Sequence, residues 1–395
     1  MEKRHYFLLV SVIGIFAIFS STMSKSPILP IFANALIHNP TELQYIGYVF
    51  SASTIPGILI SILAGRLSDL YGREKLLFVS ALVFATAPFF YIFATNIYLL
   101  MIIRFYHGFS TAIFVPVATA AIAEAYPERK GERISLFSSL TLVGRFFAPI
   151  TGGTILYITN YYFYGVYIAC GISGILALVF SLVLLHIKAP AELDIQRKTS
   201  ERVFTLKNFM EGLRIVFQSR RILVTSMVQA SQYFAYGIVE AFIILYMEYL
   251  NNPAWVMGVV PSILIFLFAV VKPIMGHLSD KYGRKMIISG GLLLTSFSML
   301  LVVYLPLIAF ILVSVSLFGI GMAMITSSTS AYVADLIDKE LYGGAIGTLS
   351  TIMDIGQAAG PIIAGYILVY YGFSWIFLMV SLLLILSLVV FAKMG

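Results

Sequence analysis

Along the chain, long apolar stretches alternate with polar breaks only a few residues long. A helix rises about 1.5 Å per residue, so roughly 20 apolar residues cross a hydrocarbon layer about 30 Å thick. On that measure the pattern predicts twelve spanning helices, at 6–32, 42–65, 75–94, 97–124, 132–158, 163–187, 221–249, 254–276, 285–304, 306–335, 342–369 and 373–393. A closed β-barrel would need strands of about 10 strictly alternating residues, and that alternation does not occur. The first stretch is too long for a cleaved signal segment and reads as a permanent span.

One long polar interval, Lys188 to Arg221, divides six spans from six. The expected architecture is therefore an all-α membrane protein with a six-helix bundle at 1–187, a linker at 188–220 and a second bundle at 221–395. Within the interval, Phe204, Leu206, Phe209, Leu213 and Phe217 recur near helical spacing. That pattern fits an amphipathic helix lying on the membrane surface, or a plain solvated linker.

Composition agrees with the pattern: 60% of the 395 residues are hydrophobic and 11% charged, a balance that calls for a membrane as solvent. The net charge is +7, and outside the spans every Lys and Arg falls on the side of the membrane that holds the N-terminus or in the linker, including Arg66, Arg73, Arg129, Lys130, Lys281 and Arg284. This places both termini in the cytoplasm and the chain in the cell membrane as a multi-pass protein, with anionic lipid rather than nucleic acid as the partner of the positive charge. Cys170 is the single cysteine, there is no His pair at metal spacing, and no GxxxxGK[ST] turn is present. The expectation is a protein that is not an enzyme, holds no metal or cofactor, does not hydrolyse ATP, and works as a monomer.

The chain also repeats itself. Gly65-Arg-Leu-Ser-Asp-Leu-Tyr-Gly-Arg73 and Gly276-His-Leu-Ser-Asp-Lys-Tyr-Gly-Arg284 lie 211 residues apart, in the turns expected after the second and eighth spans. Glu124 and Asp335, at the ends of the fourth and tenth spans, are also 211 apart, which makes them the expected acidic partners of Arg73 and Arg284. Internal duplication in an apolar chain is a signature of secondary transporters, in which two related bundles rock around a central site. The repeated phrase resembles motif A of the major facilitator superfamily, and with twelve spans about a basic linker the resemblance covers the whole chain. It implies two pseudo-symmetric six-helix bundles, and a latch at the cytoplasmic face formed by Asp69, Arg73, Glu124, Asp280, Arg284 and Asp335. The alternative for these residues is static stabilisation of the turns.

Two further stretches extend the likeness. Leu100-Met-Ile-Ile-Arg-Phe-Tyr-His-Gly108 resembles motif B, which implies a role for Arg104 in proton or substrate coupling; the structural alternative is bonding to backbone carbonyls of the first span. Gly144-Arg-Phe-Phe-Ala-Pro149-Ile-Thr-Gly-Gly153 resembles motif C of the drug:proton antiporter branch, with Ala148 in place of a glycine. Its second copy, Gly356-Gln-Ala-Ala-Gly-Pro361-Ile-Ile-Ala-Gly365, makes duplicated helix packing an equal reading, since small residues let helices approach and proline bends them.

Six ionisable residues fall well inside spans: Lys25, Arg104, Arg145 and Lys272 against Glu240 and Asp354. Charges in a membrane are costly and default to a functional reading. Lys25 and Glu240 lie at equal depth on corresponding spans, which makes an ion pair conceivable, and Asp354, then Glu240, is the favoured proton carrier. The competing reading is that the acids only neutralise Arg145, Lys25 or Lys272. Four cations to two anions favour anionic or amphiphilic cargo. Tyr233, Tyr236, Gln357, Gln229, Gln232 and Asn34 are candidate hydrogen-bonding groups, with Phe146 and Phe234 as apolar wall. The leading expectation is proton-coupled export of small organic compounds. The others are uptake or exchange of an organic or phosphorylated anion, and a sensor or lipid-handling protein that carries no solute.

Overall fold

A computed structural model describes residues 3–186, 214, 216–337 and 342–395. The expected surface helix around 204–217 lies almost wholly outside these residues. Every regular element described is helical, and twelve segments are long and apolar enough to cross a membrane, from Lys3–Ala35 to Phe373–Met394.

Two spans are each built from two helices. The first is α1 (Lys3–Lys25) followed by α2 (Ile28–Ala35); the second is α3 (Gln44–Ala52) followed by α4 (Ile55–Tyr71). Proline accounts for both interruptions: Pro27 precedes α2, and Pro56 stands in the first turn of α4, where its missing N–H costs nothing. The remaining first-half helices are α5 (Arg73–Phe90), α6 (Ile97–Ala125), α7 (Lys130–Ile158) and α8 (Phe163–His186). The second half contains α9 (Arg220–Tyr249), α10 (Ala254–Tyr282), α11 (Arg284–Tyr304), α12 (Ile308–Asp335), α13 (Tyr342–Tyr371) and α14 (Phe373–Met394). Side chains cap two of the starts: Asn96 accepts from the Leu99 N–H at 2.9 Å ahead of α6, and Ser219 from the Ile222 N–H at 3.5 Å ahead of α9.

The chain forms two compact units. The first takes Met1–Ile37, Ala52–Val203 and Pro253–Val259; the second takes His38–Ser51, Phe204–Asn252 and Val260–Gly395. The first unit's core gathers Val10, Ile13 and Ala17 of α1 with Phe84 of α5 and Phe114 and Ala121 of α6. Each unit thus includes a short piece of a span whose remainder belongs to the other, the 38–51 piece and the 253–259 piece.

Those pieces are held by the two glycine–proline stretches. In the first unit, Gly258 lies directly against the carbonyl of Pro149, and a Cβ on Gly153 would stand 2.5 Å from the Ala254 carbonyl oxygen. In the second unit, Gly47 lies against the carbonyl of Pro361, and Gly365 against that of Gln44. Ser51 Oγ adds a hydrogen bond to the Ala358 carbonyl at 2.5 Å, and the Tyr48 and Tyr366 hydroxyls meet at 2.8 Å. The small residues at 144–153 and 356–365 therefore serve matched close helix crossings, one per unit.

Candidate functional site

The repeated phrase is helical for most of its length, since α4 runs to Tyr71 and α10 to Tyr282. Only its second glycine makes the turn: Gly72 and Gly283 have φ of +99° and +97°, a region that L side chains avoid. Gly65 sits inside α4 in open surroundings and takes no part in the turn.

The turn places an arginine at the start of the next helix, and that arginine gathers its neighbours. Arg73 Nη2 pairs with Asp69 and, at 2.5 Å, with Glu124 Oε1. Its Nε reaches the same carboxylate oxygen at 3.1 Å, and Nη1 donates to the Gly65 carbonyl at 3.1 Å and to Ser68 Oγ. Arg284 repeats the set with Asp280, with Asp335 Oδ2 at 3.1 Å and with Ser279 Oγ at 2.7 Å. The two clusters differ in enclosure. The side chains of Arg73 and Glu124 are 9% and 26% exposed, those of Arg284 and Asp335 20% and 55%.

Arg104 is buried, 3% exposed, and its guanidinium does not bond to the first span. It donates through Nη2 to Ser53 Oγ at 2.7 Å and through Nη1 to the Tyr91 hydroxyl at 3.1 Å. That hydroxyl also meets His107 Nδ1 at 3.1 Å, and the Tyr91 ring stacks on Tyr167 with centroids 4.3 Å apart. Neither Tyr91 nor Ser53 stands out in the sequence. A tyrosine or serine within an apolar span carries no signal of its own, and the partner of a buried arginine is fixed only by the fold.

The other intramembrane charges are placed more openly. Lys25 is the last residue of α1, where a cation complements the negative end of the helix dipole. Arg145 is exposed on α7, and Lys272 is exposed on α10 with its Nζ 5.2 Å from the centre of the Phe268 ring. Glu240, half-buried on α9, accepts from the Tyr236 hydroxyl at 3.4 Å, and the Tyr233 and Tyr236 rings meet edge to face at 6.2 Å. Asp354 is half-buried on α13 and joins no ion pair among the described residues; Gln357, half-buried, lies three residues on along the same helix.

Two of the amides are enclosed. Gln229 is 2% exposed, donates to Met353 Sδ at 2.6 Å and accepts from Thr329, so its side chain is spent on packing α9 against α12 and α13. Gln232 is fully buried on α9. In the second unit a groove of about 870 Å3 opens among α9, α13 and α14, lined by Ser231, Phe234, Ile363, Ile367, Trp375 and Leu386 among others; its walls are almost entirely apolar.

A duplicated set of apolar spans, matched arginine clusters after the second and eighth spans, and scarce ionic groups within the spans are the pattern of secondary membrane carriers. The Major Facilitator Superfamily model matches residues 11–271 and again 225–394, and the chain belongs to that family: it is a transporter and a multi-pass membrane protein. An uncharacterized MFS-type transporter of Methanocaldococcus jannaschii is 27% identical over 346 residues, covering 87% of this chain and 86% of its own. A multi-drug resistance efflux pump PmrA homolog of Lactococcus lactis is 25% identical over 381 residues, covering 92% and 89%. Among solved structures, a point mutant of the nucleoside transporter NupG superposes with a TM-score of 0.83 at 12% identity, over 98% of this chain and 99% of its own. That likeness shows the fold.

Proposed function

We propose that the chain works by alternating access as a proton-coupled exporter of small organic compounds, with anionic or amphiphilic cargo preferred. The observation that carries this reading is Asp354, a half-buried carboxylate on a membrane-spanning helix, outside every ion pair among the described residues. Such a group takes up a proton when desolvated and gives it up when wetted or approached by a cation, which is what coupling to a proton gradient requires. Export is supported by the relatives named as efflux pumps. Glu240, held by Tyr236, is the second proton carrier in this reading, and Lys25 is a further coupling residue. Arg145, Lys272, Tyr233 and Gln357 supply cargo contacts. The Arg73 and Arg284 clusters act as latches biasing closure on the cytoplasmic side, where both termini lie, and the protein works as a monomer in the cell membrane.

Purified protein in liposomes tests this directly. Flux of an organic-anion dye should accelerate under an imposed pH gradient, and Asp354→Asn should abolish that acceleration while leaving dye exchange without a gradient. Unchanged acceleration in the variant removes Asp354 from the role.

A second reading, uptake or exchange of an organic or phosphorylated anion, draws on the exposed cations Arg145 and Lys272. It predicts flux that ignores the pH gradient and is stimulated by the same anion on the opposite side.

A further inference from the structure

Both units carry the same helix crossing, and one residue beside it differs. In the first, Gly144 of α7 lies against the carbonyl of Ile15 on α1; in the second, Gly356 of α13 lies against the carbonyl of Ala230 on α9. The next residue along is Phe16 in one and Ser231 in the other. Phe16 packs against the first unit's core and stacks on Phe180 of α8, with ring centroids 6.0 Å apart and planes within 6°. Its carbonyl also accepts from Ser173 Oγ of α8 at 2.8 Å, so the ring closes the join between the sixth span and the first.

Ser231 leaves that place open. In the second unit α14 meets α9 at two levels, where Tyr246 packs against Phe373 and Phe377 with centroids 5.2 and 5.5 Å apart, and where Ser387 Oγ donates to Ser231 Oγ at 2.9 Å. Between these levels lies the groove, with α13 and α14 as its long walls. On α14 the wall runs from Trp375 to Leu386, roughly 16 Å at about 1.5 Å per residue, close to the ~15 Å that one leaflet contributes to the hydrocarbon core. One end is marked by Tyr371 and Trp375, whose rings lie 6.1 Å apart across the turn at Gly372. Aromatic residues of this kind sit at the membrane–water boundary.

We infer that this groove is a lipid site: one acyl chain of a membrane phospholipid lies along it, from the Tyr371–Trp375 edge down to Ser231, in the place that Phe16 fills in the first unit. An empty groove would forfeit the dispersion contacts of its walls, and water finds few partners on walls that are almost entirely apolar. Ile363, Leu382 and Leu386 are exposed on membrane spans, so the groove opens on the surface that lipid already covers. The residues that line it are uncharged, so the acyl chain rather than the headgroup is held.

Trp375 reports occupancy, since Trp255 is the chain's other tryptophan and Trp255→Phe leaves a single indole at the groove. The full chain with that change, delipidated in dodecyl maltoside, is titrated with phosphatidylethanolamine brominated near the carboxyl end of its acyl chains. Quenching of Trp375 should saturate, reverse on adding the unbrominated lipid, and ignore glycerophosphoethanolamine, which has no acyl chains. Ser231→Phe, or Ile367→Phe from α13, should abolish the saturable quenching; Ser231→Ala, which keeps the space, should retain it. Quenching that never saturates in the Trp255→Phe protein overturns the site, as does displacement by glycerophosphoethanolamine or saturation retained in folded Ser231→Phe and Ile367→Phe. A doubled protein mass by light scattering, with no lipid bound, gives the groove to a second copy of the chain and overturns the lipid site as well.

Discussion

The α-carbon of Gly258 lies against the carbonyl of Pro149, so closely that a methyl group there would overlap the oxygen. Gly47 stands in the same relation to Pro361, and both pairs use the carbonyl of a proline within a spanning helix. Gly258→Ala and Gly47→Ala should each destabilise the described packing by about 1–3 kcal/mol, the usual cost of overfilling a tight contact. Thermal unfolding in detergent would register the loss. Alanine at Gly276, which has open surroundings, should leave the midpoint unmoved.

The two arginine clusters should respond unequally to loss of their distant acid. Asp335 is largely exposed, so Asp335→Asn should cost no more than about 1 kcal/mol, the range of solvated ion pairs. Arg73 is nearly enclosed, and neutralising Glu124 leaves most of its guanidinium to Asp69 and neutral acceptors. Glu124→Gln should therefore cost more than its counterpart, up to about 3 kcal/mol. Denaturation of the two variants side by side decides the order, and a larger loss in Asp335→Asn would contradict the burial argument.

The sequence made the twelve spans and the duplication legible because each is written in local composition or in a repeated phrase. The pairing of Arg73 with Glu124 could be read from spacing, since the same offset recurs in Arg284 and Asp335. The breaks at Lys25–Ile28 and Ala52–Ile55 were hidden, because hydropathy averaged over a span does not register where its backbone bends. Pro27 and Pro56 were the signals. Gln229 looked like a cargo contact because it is polar within an apolar helix, yet Thr329 and Met353, at least 100 residues away in sequence, consume it. Long-range partners of this kind leave no trace in spacing.

That enclosure has its own consequence. Thr329 donates to Gln229, and both residues are buried, so Thr329→Val removes the donor while keeping the shape. An amide oxygen left unpaired in the interior costs about 1–3 kcal/mol. The variant should unfold earlier and still bind the same solutes, since the side chain of Gln229 has no opening to them. A change in solute selectivity, read by thermal shift across a panel of organic anions and cations, would place Gln229 back among the contacts.

Gly108 and Gly319 occupy matching positions 211 residues apart, and their alanine variants should differ. A Cβ on Gly319 would stand 2.9 Å from the Leu264 carbonyl oxygen, in the middle of the continuous α10, and small shifts along that helix relieve it. A Cβ on Gly108 overlaps the Ser53 carbonyl and stands 3.0 Å from Pro56, at the break itself. Relief there must move Ser53, which pulls its hydroxyl away from Arg104. Gly319→Ala should thus lower stability with flux per folded molecule retained. Gly108→Ala should lower flux as well, because the methyl group disturbs the bond between Ser53 and Arg104. Measuring flux in liposomes normalised to folded protein, with unfolding midpoints alongside, checks the pair. Equal retention of flux in both variants would mean that the bond between Arg104 and Ser53 has no part in transport.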